Sequence, residues 1–307
     1  MRALKLNAWL ALACGGLVAA SSALAQTSAV DDRHGKLLLT GGVASVDGAA
    51  GGGLTPWALT GTYAGPGEWG ASGHYSRLAT GDYTLQAAGV AASWNDRVEV
   101  SLARQDFDTG ATGTALGLPG LHLKLDVLGV KVRVAGEAVL DSDNLMPQVA
   151  VGVQHKQLHA GGLALTLDAL GADRSDTEVY VSATKLLLGQ GLLLNATLRA
   201  TRANQNGLLG FGGTGHRSYA LQPEISVAWL LQKNVAVGLE YRFNPDNLNP
   251  SLLGGGLKAD DWKDVFVAWA PSKQMSFTAA WVDLGRVVPA VTARRQRGLY
   301  LSAQLTP

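Results

Sequence analysis

The sequence predicts an all-β fold, an antiparallel transmembrane β-barrel of about 12 to 14 strands. Three observations lead to this fold class: apolar residues recur with a period of two, short and long connections alternate, and aromatic residues lie near the predicted strand ends. Lipid offers no partner for backbone amides, so a sheet that crosses a membrane must close on itself. A soluble all-β protein would show the same alternation and is the competing interpretation.

The chain begins with a segment typical of a secretory signal. Arg2 and Lys5 precede an uncharged apolar stretch over residues 8–20, which small residues follow. About 13 apolar residues are too few for a hydrocarbon core that needs roughly 20, which argues against a membrane anchor. We therefore expect residues 1–25 to be a cleaved signal peptide and residues 26–307 to be a single outer-membrane β-barrel domain of a Gram-negative cell.

The composition excludes several classes of protein. Glycine occurs 39 times, and charged residues make up only 16% of the chain, against roughly 25% in soluble domains. The only cysteine, Cys14, lies in the predicted signal peptide, so the mature chain has no thiol for a disulfide or a thiolate metal site. Loss of Arg2 and Lys5 removes two cations and no anion, which changes the net charge from +1 to −1. We expect no nucleic-acid partner, because such a partner calls for a basic surplus.

The period of two is clearest over residues 235–243, where apolar side chains occupy the odd positions and Ala, Gly, Glu and Arg occupy the even ones. Such sorting predicts a strand with one apolar face. The same pattern predicts strands within residues 57–63, 69–76, 98–103, 192–199, 224–229, 265–269, 275–281 and 299–305. Less regular runs near Lys36, Tyr83, Leu121, Val149 and Val179 complete the predicted set.

The connections and the aromatic residues favour a membrane barrel over a soluble one. Short turns and long loops alternate in outer-membrane barrels, and aromatic residues form girdles at both interfaces. Short turns are predicted at residues 65–67, 95–96, 232–234 and 271–273, and longer connections at residues 108–120, 157–176, 204–218 and 244–261. The aromatic residues assigned to the girdles are Trp57, Tyr63, Trp69, Tyr75, Trp94, Phe107, Tyr241, Phe243, Trp262, Trp269 and Trp281.

One segment breaks the alternation. Apolar residues occupy the odd positions of residues 121–127 and then the even positions of residues 130–134. A slip of one residue exchanges the two faces of a strand. The sequence therefore predicts a β-bulge or a bend near Gly129.

Four segments resemble those of a known family. They are Gly48–Trp57 (GAAGGGLTPW), Asn95–Gln105 (NDRVEVSLARQ), Phe107–Gly110 (FDTG) and Gly207–Gly213 (GLLGFGG). These segments are similar to a proteobacterial family known only as a domain of unknown function, whose members look like outer-membrane barrels. The resemblance covers nearly the whole mature chain and implies the fold and the outer-membrane location. It brings no activity, ligand or catalytic residue.

Two motifs resemble catalytic or nucleotide-binding loops without completing them. Residues 108–111 (DTGA) look like the active-site loop of an aspartic protease, but that chemistry needs two carboxylates and the motif occurs once. The glycine clusters at residues 48–53 and 207–215 lack the Gly-Lys-Ser/Thr of a P-loop. A loop and a set of permissive bends are the favoured interpretations.

Three other groups could bind metal or act on lipid. His155 and His159 would share a face only on a helix, and residues 244–261 offer oxygen ligands without an EF-hand pattern. A barrel lipase would need His74 and Ser76 on a lipid-facing surface. We expect no catalytic residue, no metal and no cofactor.

Sparse charges opposite the apolar faces are the remaining candidates for function. Charges in a membrane barrel avoid lipid, so they either pair across the lumen or line a path. The candidate lumen-lining residues are Glu99, Arg104, Arg199, Glu224, Glu240 and Arg242.

Three functions stay open at this point. The first is a passive pore or transporter for small solutes, and the second is a structural or adhesive outer-membrane protein with a closed lumen. The third, and least favoured, is an outer-membrane or periplasmic hydrolase. The expected partners are outer-membrane lipid, the barrel-assembly machinery and, for the first function, small solutes. The oligomeric state stays open.

Overall fold

The computed structural model describes residues 36–41, 43–138, 144–251 and 254–307. The predicted signal peptide, residues 1–25, lies outside this part of the chain. Among the described residues, no helix has both the length and the apolar character needed to cross a membrane.

Within the described residues, twelve antiparallel strands close into one barrel, which confirms the predicted fold class. Each strand pairs with the next one in the chain, and the last strand pairs with the first. The strands are β1 (Trp69–Thr80), β2 (Thr84–Trp94), β3 (Val98–Asp108), β4 (His122–Ala135), β5 (Gln148–His159), β6 (Ser175–Leu187), β7 (Leu192–Thr201), β8 (Ala220–Gln232), β9 (Val235–Arg242), β10 (Trp262–Ser272), β11 (Met275–Asp283) and β12 (Arg297–Leu305). The described connections contain the short helices α1 (Gly110–Ala115) and α2 (Ala164–Ala169) and the 3₁₀ turns Gly161–Leu163, Leu188–Gln190, Asn204–Gly207 and Gly255–Leu257.

The two ends of the barrel differ in their connections. At the end where β1 begins and β12 ends, which we call the turn end, most connections span two to four residues; the exception joins β4 to β5. At the opposite end, which we call the loop end, all but the first connection are long: residues 109–121, 160–174, 202–219, 243–261 and 284–296. In outer-membrane barrels the short turns face the periplasm and the long loops face outside.

The outer surface of the barrel is apolar and carries aromatic side chains. Trp69 is 75% exposed and Trp281 is 60% exposed, as expected for residues that face lipid and its interfaces. The outward aromatic residues among those predicted are Trp69, Tyr75, Trp94, Tyr241, Phe243, Trp269 and Trp281. The assignment is wrong for Trp57, Tyr63, Phe107 and Trp262, which are buried inside the barrel.

β4 is regular through Gly129, so the predicted bulge or bend at this residue is wrong. Gly129 pairs with Ser101 of β3 and with Gln154 of β5, and the register shifts only later in β4, near its end. The apolar odd positions of residues 123–127 are buried inside, whereas the apolar even positions of residues 130–134 are exposed outside. The two faces are never exchanged. What changes along β4 is the character of its inward side chains, which are apolar near the loop end.

Residues 43–65 form a plug inside the lumen, and the strand predicted over residues 57–63 is therefore wrong. No barrel strand forms near Lys36 either, because β1 begins only at Trp69. Every residue from Ala44 to Gly65 is buried. The alternation of residues 57–63 is real, but their backbone groups bond to side chains of the barrel wall instead of a neighbouring strand.

Candidate functional site

The plug is held by buried carboxylates of the barrel wall. The backbone amides of Ala50 and Gly61 donate to the two oxygens of Glu99, at 3.0 and 2.6 Å. The amide of Leu54 donates to Glu240 at 2.7 Å. Glu99 on β3 and Glu240 on β9 therefore fix the plug from two sides of the lumen.

A buried lysine and several polar side chains complete the attachment. The ammonium of Lys131 lies 3.0 Å from Glu99 and donates to the carbonyls of Ala50 and Trp57, at 3.2 and 3.1 Å. The carbonyl of Pro56 accepts hydrogen bonds from Ser182, Asn195 and Thr197. The irregular backbone of the plug thus finds its hydrogen-bond partners partly within the plug and partly in the wall.

Six buried charged side chains form a closed ring of ion pairs, which we call the charge ring. Five of them come one each from the consecutive strands β5 to β9, and the sixth comes from the plug. In order around the ring they are Asp47, Lys156, Glu178, Arg199, Glu224 and Arg242, and the successive distances are 3.3, 3.0, 2.9, 2.7, 3.2 and 3.6 Å. Each is at most 3% exposed. Positive and negative charges alternate and balance, which is what buried ions require.

Asp47 connects the plug to both the wall and a loop. Its carboxylate accepts from Gln105 of β3 at 2.9 Å and from Asn206 at 2.7 Å. Asn206 belongs to the connection over residues 202–219, which folds into the loop end of the lumen. One carboxylate therefore links the plug, the charge ring and this inward loop.

The span of the chain that matches a known family includes the plug. Residues 40–304 match the family described as protein of unknown function (DUF3034). The chain belongs to the DUF3034 family. The match begins before the plug and ends in β12, so plug and barrel occur together in the family pattern. No curated protein matches the DUF3034 chain.

Solved structures similar to the DUF3034 chain are outer-membrane proteins. The KdgM porin has a TM-score of 0.46 at 8% identity, with 76% of this chain and 98% of that chain covered. The NanC porin has a TM-score of 0.49 at 9% identity, with coverages of 76% and 98%. Outer membrane phospholipase A from Escherichia coli has a TM-score of 0.42 at 8% identity, with coverages of 77% and 92%. At such values no activity is transferred from these proteins to the DUF3034 chain.

The structure places five of the six candidate residues inside the barrel of the DUF3034 chain. They are Glu99, Arg199, Glu224, Glu240 and Arg242, all buried and in contact with the plug or with one another. Arg104 is different and does not line the lumen. It shares the outer face of β3 with Val100 and Leu102, and it pairs with Asp126 of β4 at 2.5 Å. Alternation along β3 places its even positions outside, so Glu99 and Arg104 cannot share a face.

Several charged residues of the lumen were not predicted from the sequence. Lys131 lies on the inward face of β4, between the outward-facing Val130 and Val132. Asp47 precedes β1 in a glycine-rich segment, where no strand pattern indicates an interior position. The other missed residues are Lys156, Glu178 and Asp264.

The motifs that suggested catalysis do not form a catalytic site. Asp108 ends β3, and its carboxylate accepts from the amide of Gly110 at 2.9 Å, as in a loop. His74 and Ser76 face the lumen instead of lipid, and Ser76 donates to Ser302 at 2.8 Å. The arrangement that a barrel lipase needs is therefore not formed by these two residues.

The groups that suggested metal binding are also separated. His159 lies 3.0 Å from Asp126 on the outer surface, and His155 contacts another residue there. In the acidic loop, Asp260 binds Arg286 at 2.9 Å, and this guanidinium holds the pKa of the Asp260 carboxyl below its usual range. In the described part of the chain, no group of three or more His, Cys, Asp or Glu side chains could hold a metal ion.

Two adjacent glycines of the plug provide a test of its fit. A Cβ atom at Gly52 would lie 2.1 Å from Oε1 of Glu240, whereas a Cβ atom at Gly53 would lie no closer than 3.5 Å to any neighbour. We expect Gly52→Ala to lower the free energy of unfolding by about 1–3 kcal/mol, as overpacking does. Gly53→Ala is the matched control and should change it by less than about 0.5 kcal/mol. Urea titration of the purified barrel measures both, and equal losses would contradict the close contact at Gly52.

Proposed function

We propose that the DUF3034 chain is an outer-membrane conduit for small solutes, closed at rest by its own plug. The proposal of a membrane location is supported by the closed sheet and by its apolar outer surface with outward tryptophans. The observation that carries the proposal of a conduit is the way the plug is attached. It is bound to side chains of the wall, and its backbone–backbone hydrogen bonds and isolated bridges lie within the plug itself. Such a segment can leave the lumen without melting a strand of the barrel.

The wall is built to remain stable when the plug moves. Five members of the charge ring sit on neighbouring strands and pair with one another from Lys156 to Arg242. Displacement of Asp47 opens the ring but leaves each wall charge with at least one partner of opposite sign. The cost of opening is therefore confined to the contacts of the plug itself.

A structural protein with a permanently closed lumen is the second candidate. It is favoured by the complete burial of residues 44–65. We propose no hydrolase, because the candidate residues for that chemistry are buried in the lumen and do not form the required pair.

A disulfide that locks the plug distinguishes the two candidates. The hydroxyl oxygens of Thr55 in the plug and Ser226 on β8 are in direct contact, so the sulfur atoms of Thr55→Cys/Ser226→Cys would meet. The only cysteine of the sequence, Cys14, lies in the predicted signal peptide. The matched control is Ser76→Cys/Ser302→Cys, whose hydroxyls lie 2.8 Å apart between β1 and β12 and do not involve the plug.

Uptake of radiolabelled glycerol, glucose, toluene and indole would be measured in intact cells of a porin-deficient Gram-negative host. We expect the oxidised Thr55→Cys/Ser226→Cys disulfide to abolish the uptake that depends on expression of the barrel (barrel-dependent uptake), and reduction by dithiothreitol to restore it. The control disulfide should leave this uptake unchanged. Equal uptake with the lock oxidised and reduced would refute displacement of the plug. Absence of barrel-dependent uptake of every solute would favour the structural candidate.

A further inference from the structure

The interior is chemically divided between two sides. The charge ring occupies the loop half of the wall from β5 to β9, and the pair of Glu99 and Lys131 lies nearer the turn end on β3 and β4. From β10 round to β2, the inward positions are mostly small or apolar, with Asp264, Tyr300 and His74 as the ionisable residues. The polar anchors of residues 47–58 lie on the charged side. Residues 47–58 of the plug are therefore fastened on one side and only packed on the other, whereas Gly61 and Thr62 bond to Gln304 of β12 and Ser93 of β2 near the turn end.

Two apolar cavities of about 30 Å³ each lie against β10. The first extends along β11, β12, β1 and β2 at the loop end, and the second extends along the turn-end residues of β6 to β9. Residues that line the cavity nearer the loop end include Leu54, Leu85, Phe107, Trp262, Asp264 and Val282. Residues that line the cavity nearer the turn end include Leu39, Trp57, Leu193, Phe266, Ala268 and Thr278. Gly53 borders both cavities. The backbone at Gly52 and Gly53 is thus the constriction between two apolar chambers.

One polar atom in the first cavity has no partner. Oδ1 of Asp264 forms no hydrogen bond with the described residues, although the side chain is only 6% exposed. Asp264 lies opposite Glu240 in the β9–β10 register, and Glu240 is already occupied by Leu54, Thr55 and Ser226. Buried polar atoms are normally hydrogen-bonded. The free oxygen therefore points to a ligand that brings one hydrogen-bond donor into the cavity.

We infer that the conduit carries small, uncharged, largely apolar molecules along β10, past Gly52 and Gly53, between the plug and the apolar parts of the wall that line the two cavities. The inference rests on the proposed function and names its substrate class. Apolar walls with one acceptor favour an aromatic compound with a single N–H or O–H group, because a polyol would lose its hydration without gaining partners. One water molecule needs roughly 10–15 Å³ of such a cavity, so each cavity is too small for an aromatic ring. An aromatic solute therefore passes only when the plug shifts.

Filling either cavity tests this route. Val282→Phe would fill the cavity near the loop end, and Ala268→Leu would fill the one near the turn end. We expect each to reduce barrel-dependent uptake of indole and toluene at least tenfold in the porin-deficient host. The matched control is Val267→Leu, next to Ala268 but on the lipid-facing side and 47% exposed, which should leave uptake unchanged. Heat-modifiable mobility in gel electrophoresis would verify that each variant folds.

A separate variant tests whether the cavity prefers a solute that carries a hydrogen-bond donor. Asp264→Leu removes the unpaired acceptor, so uptake of indole should fall several-fold more than uptake of toluene, which has no donor. Equal effects on both solutes would overturn the assigned role of Asp264.

A second measurement covers variants that fail to fold. Wild-type crystals pressurised with xenon should show xenon in both cavities, because xenon occupies dry apolar space. Xenon in neither cavity would overturn the inference, and so would barrel-dependent uptake confined to glycerol and glucose. If only glycerol and glucose are taken up and the disulfide between plug and wall blocks this uptake, the result would still support a conduit closed by its plug. If the barrel supported uptake of none of the solutes, both the proposed conduit and its proposed substrate class would be refuted.

Discussion

Replacement of Arg199 by methionine is expected to lower the free energy of unfolding of the barrel by roughly 3–5 kcal/mol, the range for breaking a buried ion pair. Arg199 lies 2.9 Å from Glu178 and 2.7 Å from Glu224, and all three side chains are at most 1% exposed. Methionine keeps much of the volume but leaves two buried carboxylates without their shared cation. Urea titration in detergent, followed by gel mobility of unheated samples, measures the loss.

The matched control is Arg104→Met. Arg104 also binds a carboxylate with two nitrogens, but Asp126 and Arg104 lie on the outer surface and are 34% and 18% exposed. Partly exposed pairs contribute at most about 1 kcal/mol. The double variant Glu178→Gln/Arg199→Met restores the balance of charge in the ring, because Lys156 keeps Asp47 and Arg242 keeps Glu224, and it should recover part of the stability lost in Arg199→Met. Similar losses in the two single variants would show that burial of the charge ring is not what makes it important.

Asp47→Asn is expected to open the lumen. The substitution keeps the shape and one acceptor oxygen for Gln105 and Asn206, but it places an amide donor against Lys156 and Arg242 and leaves the charge ring with a net charge of +1. A penalty of roughly 3–5 kcal/mol corresponds to an increase of about 10²- to 4 × 10³-fold in the population of the displaced plug. Planar-bilayer recordings should show rare events for the wild type and frequent openings for the variant.

The control for this experiment is Asp106→Asn. Asp106 lies on the outer surface against His122 and Lys124 and has no contact with the plug, so its removal should leave the conductance unchanged. A silent Asp47→Asn barrel that keeps its heat-modifiable mobility would mean that Asp47 is not the residue that retains the plug.

The sequence predicted the barrel well, because lipid imposes one apolar face on nearly every strand. Strands β9 to β12 follow from alternation alone, and the division into short turns and long loops follows from turn residues. The plug was missed because residues 57–63 alternate as a strand does, and a period of two does not tell which partner the backbone will find. Glu99 and Arg104 are separated by an odd number of positions, so alternation along β3 alone would have placed Arg104 on the outer face of the barrel.

The charge ring could not be predicted from sequence for a different reason. Members that follow one another in sequence are separated by 18 to 109 residues. They meet only when five strands adopt one register and Asp47 of the plug completes the ring. Alternation assigns a face to Lys156 or Glu178, but it gives no height along the barrel axis. Pairing between distant residues is fixed by register, which the sequence pattern leaves open.

The plug continues directly into β1 through the turn at residues 65–68. A plug that leaves the lumen therefore remains tethered to the mouth it has just vacated, and a short flexible tether holds a segment at a local concentration in the millimolar range. Reclosure is then a first-order event within one molecule, independent of how many copies the membrane contains. In the proposed conduit each barrel would carry its own plug, so closure after an opening would need no second protein.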